Sequence, residues 1–198
     1  SGSLPEDILK EMKSMGLFGL TIPEEYGGLG LTMEEEIEVA ISLGKTSPAF
    51  RSIMGTNNGI GSAAIVFNGT EEQKKKYLPK YASGEWISCF CLTEPEAGSD
   101  AAALKTTAVR DGDYYIINGT KRYITNAKVA NTFNVMARTN PSIKGARGIS
   151  SFIVEKDFKG ITLGSVDKKM GQAGSMTCDV IFEDCRVPAK NIVGAEGE

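Results

Sequence analysis

The sequence predicts an α+β protein of two domains, with an all-α domain over residues 1–84 and an antiparallel β domain over residues 85–198. Two observations support the helical part, namely apolar side chains at helical spacing and two capping boxes. A third supports the β part, because short runs of strand-forming residues joined by Asp-Gly and Asn-Gly turns begin after Ser83-Gly84. We therefore expect helices first and a meander of strands second.

Four helices are predicted in the first domain. Ser1-Gly2-Ser3 resembles an expression-tag remnant and is set aside. From Leu4 to Met15 the apolar side chains recur at spacings of three and four, which predicts an amphipathic helix that ends at Gly16. Capping boxes at Thr32 and Thr70 satisfy free amides in the first turn of two later helices. The predicted helices cover residues 4–15, 32–43, 48–67 and 70–81.

The β domain is predicted from seven short runs rich in strand formers. Asp111-Gly112 and Asn118-Gly119 supply the positive φ angles that tight hairpin turns need. Residues 141–147 are interpreted as a polar loop. The predicted strands cover residues 86–93, 106–110, 114–118, 120–125, 132–138, 149–155 and 178–182.

Composition narrows the class of function. The 22 basic and 25 acidic residues are interspersed, which leaves no basic stripe for a nucleic acid. The apolar runs are far shorter than a membrane span, and we expect an intracellular protein without a signal peptide. The lack of histidine excludes Ser-His-Asp and Cys-His catalysis within the chain. The four cysteines have no C-x-x-C spacing, so we expect buried, reduced thiols and no metal site.

One segment, Thr93 to Asp100, carries candidate ligand-binding groups at the end of the first predicted strand. Pro95 and Gly98 bend the chain, and Gly98 allows the main chain to approach a ligand closely. Thr93 and Ser99 offer hydroxyls that suit a ring edge or a diphosphate. The same composition fits an acidic surface turn, so both interpretations stay open at this point.

Three other groups of residues are interpreted as structural. Gly27-Gly28-Leu29-Gly30 has neither the preceding strand nor the Lys-Ser/Thr pair of a phosphate-binding loop, so we interpret it as a flexible connector. Lys74-Lys75-Lys76 is interpreted as an exposed helix face. The carboxylates of Glu94, Glu96 and Asp100 are interpreted as turn-capping and surface groups.

Six motifs in the sequence resemble, in order and approximate spacing, those of the acyl-CoA dehydrogenase family. The resemblance spans nearly all of residues 16–197. It implies a helical N-terminal domain, a middle antiparallel β-barrel and a C-terminal helical bundle, which we expect to be absent from a chain ending at Glu198. The motifs are Ile22–Gly30, Gly69–Lys74, Cys91–Asp100, Tyr123–Asn126, Met170–Gln172 and Phe182–Pro188.

The resemblance also implies an FAD site. Thr93 would lie near the pyrimidine end of the flavin and Thr125 near flavin N5, where a hydrogen-bond donor stabilises charge on the reduced ring. Gly98 and Ser99 would approach the FAD diphosphate and the CoA moiety, which makes Ser99 a candidate substrate contact as well. Many family members carry tryptophan where this chain has Tyr123. The implied cofactor-binding residues are Phe90, Cys91, Leu92, Thr93, Gly98, Ser99, Tyr123, Ile124 and Thr125.

The chemistry implied by the resemblance is α,β-dehydrogenation of an acyl-CoA thioester. A carboxylate removes the α proton while the β hydrogen leaves as a hydride to FAD. In the family this carboxylate belongs to the C-terminal bundle, so we nominate no catalytic residue in the present chain. We accordingly expect the isolated chain to be inactive and to hold FAD poorly.

Partners and location are likewise implied by the resemblance. Family members usually pass electrons to an electron-transferring flavoprotein, assemble as homotetramers, and work in the bacterial cytoplasm or the mitochondrial matrix. Two alternatives remain open. One is an acyl-CoA oxidase or flavin monooxygenase of the same superfamily, and the other is a non-catalytic binding relative that kept the fold.

Arg51 is the one candidate for substrate selection. The stretch Ala49-Phe50-Arg51-Ser52 resembles the Tyr-Arg-Ser stretch of glutaryl-CoA dehydrogenases, in which the arginine meets the distal carboxylate of the acyl chain. A guanidinium group can bind a carboxylate through two parallel hydrogen bonds. The competing interpretation is a solvated or ion-paired arginine on a helix surface.

Overall fold

The computed structural model describes residues 4–197, so Ser1-Gly2-Ser3 and Glu198 lie outside the described residues. Helices come first and strands second, and the predicted boundary after residue 84 falls between them. No helix among the described residues is long and apolar enough to cross a membrane. The helices are α1 (Glu6–Ser14), α2 (Met33–Gly44), α3 (Pro48–Asn58), α4 (Ala63–Asn68) and α5 (Glu71–Ala82). The strands are β1 (Ser88–Cys91), β2 (Thr107–Asp111), β3 (Tyr114–Thr125), β4 (Thr132–Arg138), β5 (Ile149–Glu155), β6 (Ile161–Leu163), β7 (Thr177–Pro188) and β8 (Ile192–Val193).

Both predicted capping boxes are confirmed. At the start of α2, the Thr32 hydroxyl accepts from the Glu35 amide, and the Glu35 carboxylate accepts from the Thr32 amide at 2.8 Å. At the start of α5, Thr70 and Gln73 exchange the equivalent pair of bonds. These contacts satisfy amides that the first helical turn leaves free, which explains why both helices begin where the sequence predicts.

The prediction of one helix over residues 48–67 is wrong. Helix α3 ends at Asn58, and α4 begins at Ala63. Between them the Gly61 amide donates to the Thr56 carbonyl, and a Cβ on Gly61 would lie 2.2 Å from the Ser88 hydroxyl. Because glycine has no side chain, the main chain at Gly61 can turn tightly against the start of β1. A larger residue would clash with Ser88.

The prediction of a hairpin turn at Asn118-Gly119 is also wrong, because β3 continues through it as one strand paired with β7. The pairing register shifts between Ile117 and Gly119, which marks a bulge. Gly119 has a φ of 150°, and a Cβ there would lie 2.4 Å from the Thr106 hydroxyl. This glycine serves a close approach between neighbouring segments, not a turn.

The eight strands form one mixed sheet in the order β6-β7-β3-β2-β4-β5-β8, with β1 paired to β4. The antiparallel barrel expected from the sequence needs correction, because β1 and β2 both run parallel to β4. Parallel neighbours need a long crossover connection, and the segment that contains the β2–β3 hairpin supplies it between β1 and β4. Within residues 4–197 the strand order is an open path, and no pairing joins β6 to β8.

Other strand assignments also differ from the prediction. Strand β1 is shorter than the predicted 86–93, and β2 is shifted by one residue from the predicted 106–110. Strand β7 runs from Thr177 to Pro188 and is longer than the predicted 178–182. Strands β6 and β8 were not predicted at all, because three and two residues are too few to show an alternating pattern. Strands β4 and β5 match their predicted ranges.

The helices and the sheet share a packed and hydrogen-bonded junction. Ile153 and Val193 of the sheet belong to the same apolar cluster as the aromatic side chains of α5. The Tyr77 hydroxyl donates to the Glu155 carboxylate at 2.7 Å, and the Tyr81 hydroxyl lies 2.6 Å from that of Thr132. Since these polar groups are satisfied across the junction, they help to fix the sheet against the helices.

All four cysteine side chains are buried and free, as predicted. They belong to the apolar core of the sheet, where Cys89 and Cys91 lie with their sulfur atoms 3.9 Å apart. Burial raises the pKa of the Cys185 thiol to about 11, which leaves it protonated at neutral pH. The thiols therefore act as small apolar groups in the core.

Candidate functional site

A cavity of about 170 Å³ lies where the end of β1 faces the end of β3 and the end of α3. It brings together six of the nine predicted cofactor-binding residues, three from each of two segments. The lining residues are Thr56, Ile60, Phe90, Leu92, Thr93, Tyr123, Ile124 and Thr125. The two segments that the sequence singled out are therefore neighbours in space.

The β1 side of the cavity follows from the alternation of a strand. Cys89 and Cys91 point into the sheet core with no exposed surface, and Phe90 between them is half-buried and faces the cavity. Leu92 and Thr93 continue this side beyond the end of the strand. Cys91 can therefore contact a ligand only through its main chain, although it was predicted alongside its neighbours.

The turn that follows β1 is anchored by a buried carboxylate. The Glu94 and Ala97 main chains exchange two hydrogen bonds around Pro95 and Glu96. Glu94 is only 4% exposed, so its interpretation as a solvated surface acid is wrong. Its carboxylate accepts from the Lys121 ammonium at 2.8 Å as well as from two main-chain amides. Burial alone would raise the pKa of Glu94, but these donors hold it below its usual value.

The β3 side of the cavity has an unusual main-chain conformation. Tyr123 has a φ of 58° and Asn126 a φ of 69°, in a region that non-glycine residues rarely occupy. The Asn126 side chain donates to the Ile53 carbonyl of α3 at 3.0 Å, which fixes the end of β3 against the helix. Tyr123 is 59% exposed and lies beside the Arg122 guanidinium. Because Asn126 is bonded to α3, the neighbouring Thr125 is held beside this helix at the wall of the cavity.

Gly98 and Ser99 lie on the exposed part of the loop and do not line this cavity. A Cβ built on Gly98 would meet no atom within 4 Å, so the fold itself does not require glycine here. The open space leaves the Gly98 main chain accessible to a ligand that approaches from outside.

A second, polar cavity of about 480 Å³ adjoins the first and shares Thr56 and Thr125 with it. Arg51 lies here together with a second cation, Lys169, and the described residues of the lining include no carboxylate. The lining residues are Arg51, Ser52, Thr56, Thr125, Lys169, Gly171, Gln172, Ser175 and Thr177. Two cations without a counter-charge make this cavity suited to an anionic group.

A third cavity of about 310 Å³ lies on the other side of Phe90 and Leu92 and is almost entirely apolar. Its remaining lining residues are Ala101, Ala102, Met136, Ala146 and Ile149. None of them was predicted, because small and aliphatic residues carry no chemical signature in a sequence. The three cavities together offer apolar faces bordered by hydroxyl donors, which suits a flat heteroaromatic ring with a polar edge.

Two further lining residues, Thr56 and Lys169, were not predicted from the sequence. Thr56 follows Ser52 by one helical turn and donates to the Ser52 carbonyl at 2.9 Å, so helical spacing from Arg51-Ser52 contained a usable signal. Lys169 directly precedes the Met170–Gln172 motif, which lies opposite α3, where Gln172 accepts from the Ser52 hydroxyl at 2.8 Å. Its ammonium donates to the Ser175 carbonyl.

The sequence is similar to known proteins along almost its whole length. The family description "Acyl-CoA dehydrogenase, N-terminal domain" matches residues 1–85, and "Acyl-CoA dehydrogenase, middle domain" matches residues 89–185. An acyl-CoA dehydrogenase of Bacillus subtilis is 40% identical over 98% of this chain and 51% of its own length. A short-chain specific acyl-CoA dehydrogenase of Clostridium acetobutylicum is 42% identical over the same shares.

Solved structures are similar over almost the whole chain. One described as an electron transferring flavoprotein of Acidaminococcus fermentans has a TM-score of 0.95 and 43% identity, covering 100% of this chain and 52% of its own. An acyl-CoA dehydrogenase from Bacillus anthracis complexed with FAD gives 0.88 and 42%, covering 96% and 33%. A glutaryl-coenzyme A dehydrogenase complexed with glutaryl-CoA gives 0.92 and 35%, covering 99% and 50%. The present chain spans about half the length of the curated relatives it matches.

Proposed function

The chain belongs to the acyl-CoA dehydrogenase family, and on that premise we propose that it contributes the flavin-binding half of an enzyme that dehydrogenates acyl-CoA thioesters. In this proposal residues 1–84 are the N-terminal domain, and residues 85–198, which contain the mixed sheet, are the middle domain. The observation that carries the proposal is the convergence of Phe90–Thr93 and Tyr123–Thr125 on one cavity.

FAD is the cofactor that this site would hold, and when bound it supplies a hydride acceptor. The fit rests on the donor set. Thr93 and Thr125 place hydroxyls on opposite sides of the cavity, where they would orient the polar edge of the ring. Phe90 and Leu92 would cover its apolar part and exclude water. Gly98 and Ser99 would meet the diphosphate and the CoA moiety from the exposed loop, with Cys91 contributing main chain only.

FAD titration of the purified chain, followed by quenching of flavin fluorescence, tests the cofactor site. We expect weak but saturable binding, and we expect Thr93→Val and Thr125→Val each to weaken it about 2- to 10-fold. Each change removes one hydrogen-bonding hydroxyl at nearly constant volume. Thr162→Val on β6, which is exposed and outside the three cavities, is the matched control. Absence of saturable binding, or equal weakening by the control, would contradict the proposed cofactor site.

The electron acceptor in this proposal is an electron-transferring flavoprotein, and the intact enzyme is a homo-oligomer. The exposed ring of Tyr123 at the cavity edge supports a route for electrons from the site to a docked partner. The test is the acceptor dependence of the intact protein with an acyl-CoA. Oxygen consumption as fast as reduction of the flavoprotein would favour the oxidase alternative.

The proposed substrate is an acyl-CoA with an acidic end, which Arg51 would bind in the polar cavity. Arg51 and Lys169 provide positive charge there, and Thr125 joins this cavity to the proposed flavin position.

Arg51→Met in the intact protein is expected to reduce the preference for glutaryl-CoA over butyryl-CoA about 10- to 100-fold, because a charge-assisted pair is lost. The ratio of kcat/KM for the two substrates measures this. Lys45→Met removes an exposed cation near the end of α2 and should leave the ratio unchanged. A ratio that survives Arg51→Met would remove Arg51 from substrate selection.

A further inference from the structure

The buried ion pair between Glu94 and Lys121 lies between the two sides of the proposed flavin cavity without lining it. Glu94 directly follows Thr93 on one side, and Lys121 precedes Tyr123 by two residues on the other. The Lys121 side chain has no exposed surface, and that of Glu94 is 3% exposed. The pair is therefore placed to control how the two sides face each other.

Lys121 and its neighbour contact the β1 side at three consecutive residues. The Lys121 ammonium donates to the Glu94 carboxylate at 2.8 Å and to the Leu92 carbonyl at 3.1 Å. Between these contacts, the Arg122 amide donates to the Thr93 carbonyl at 2.8 Å. Thr93 is thus held from both sides by groups that belong to β3.

The carboxylate also reaches a third segment. Glu94 accepts from the Lys105 amide at 2.6 Å and from the Thr106 amide at 2.9 Å, just before β2 begins. That segment follows Ala101 and Ala102, which line the apolar cavity. One carboxylate therefore connects three stretches of chain that border the cavities, and all of its bonds are charge-assisted.

The hydrogen bonds between β3 and β7 do not fix the position of this part of β3. The pairing of β3 with β7 shifts between Lys121 and Ile124, so Arg122 and Tyr123 have no ladder partner there. A bulge frees the main chain to adopt the positive φ of Tyr123, but it also removes the bonds that would fix its position. The ion pair and the Arg122–Thr93 bond replace them.

Stability alone does not require such a pair. Well-packed apolar residues of similar volume often stabilise a core as well as or better than a buried ion pair, because both charges must leave water. What an apolar pair lacks is direction, whereas an ammonium held by a carboxylate and a carbonyl fixes distances. The Glu94–Lys121 pair therefore contributes fixed distances between the two segments rather than extra stability.

We propose that Glu94 and Lys121 are positioning residues that set the separation between the Thr93 and Thr125 sides of the cavity. The effect on FAD binding rests on the proposed flavin site. The coupling between the two sides of the cavity does not depend on FAD. It predicts that the segments around Thr93, Lys105 and Arg122 open and close together.

The first test is amide hydrogen exchange of the wild-type chain, which needs neither flavin nor a variant. We expect the Lys105, Thr106 and Arg122 amides to exchange through one common opening, with equal protection that differs from that of the central β4 amides. Independent exchange of Arg122 and Lys105 would overturn the proposal. A chain that fails to bind FAD would remove the flavin assignment and leave this result standing.

The second test compares Lys121→Met, Glu94→Gln and the two changes combined. We expect each single change to lower the thermal midpoint and the combined change to restore part of it, because no unpaired buried charge remains and the glutamine oxygen still accepts from a main-chain amide before β2. Exchange at Arg122 is expected to stay about tenfold faster in the double variant, with FAD affinity about tenfold weaker. A double variant that recovers exchange and affinity together with stability would show that the pair is merely structural.

The control is the more exposed ion pair that Lys76 of α5 forms with Glu155 of β5 across the helix–sheet junction. The Lys76 ammonium lies 2.6 Å from the Glu155 carboxylate, and neither residue lines any of the three cavities described above. Lys76→Met combined with Glu155→Gln removes this pair but keeps an acceptor for the Tyr77 hydroxyl, and it should leave exchange at Arg122 and FAD affinity unchanged. An equal effect of this control on both readouts would overturn the positioning role.

Discussion

Asn57→Ala is expected to lower the free energy of unfolding by about 3–5 kcal/mol, because it leaves several buried polar groups without partners. The side-chain amide of Asn57 donates to the Phe18 and Tyr81 carbonyls, and its oxygen accepts from the Ser88 amide at 2.8 Å. The Asn57 side chain thus joins α3 to the loop that follows α1, to α5 and to β1. Urea denaturation followed by far-UV circular dichroism measures the change.

Asn58→Ala is the matched control, since Asn58 is the next residue of α3 and equally buried. Its amide donates to the Leu17 and Met54 carbonyls, but its oxygen has no partner among the described residues. Removing it eliminates an unsatisfied acceptor along with two bonds, so we expect a loss of only about 1–2 kcal/mol. An Asn58→Ala variant as unstable as Asn57→Ala would show that the link to β1 contributes little.

Gly28→Ala is expected to cost about 3–4 kcal/mol, because its Cβ would lie 1.9 Å from the Ile22 carbonyl oxygen. Neither main-chain segment can yield easily. The Gly30 amide donates to that same carbonyl at 3.0 Å, and the Leu31 amide donates to the Leu20 carbonyl at 2.7 Å. The interpretation of this stretch as a flexible connector is therefore wrong, since it packs directly against the preceding loop.

Gly27→Ala separates crowding from main-chain conformation at the neighbouring position. Gly27 has a φ of 83°, and a Cβ there would meet nothing within 4 Å. Only the cost of the left-handed conformation remains, about 1–2 kcal/mol. The thermal midpoint of each variant measures the difference. If Gly27→Ala proved the more damaging of the two, the close packing around Ile22 would not be rigid.

Features set by local sequence were predictable. The capping boxes at Thr32 and Thr70 depend on residues three positions apart, so the pattern and the structure carry the same information. Strands β4 and β5 are short runs of residues that are buried along nearly their whole length, and they match the predicted ranges. Asn118-Gly119 fits a turn just as well by local rules, but the approach of Thr106 decides its conformation, and that contact is invisible in a short window.

The candidate site divides in the same way. Thr93 and Thr125 were found through motifs, and the structure places both on one cavity, although their role in binding stays a prediction. Glu94 and Lys121 are 27 residues apart, and each alone reads as an ordinary surface charge. Only the fold brings them together in a dry environment. Whether a glutamate is a solvated surface group or a buried ion-pair partner depends on its neighbours in the fold, which residue type alone does not reveal.

The parallel pairing of β1 with β4 has a consequence for the order of events during synthesis. β1 can find its partner only after the chain has passed through β2 and β3, since Ser88 pairs with Thr132. Contacts so distant in sequence form slowly, whereas the capped helices form locally. A ribosome-bound chain that has released residues up to 131 therefore presents Phe90 and Leu92 beside an unpaired strand edge. Such an edge is prone to aggregation, and the chain depends on rapid emergence of β4 to cover it.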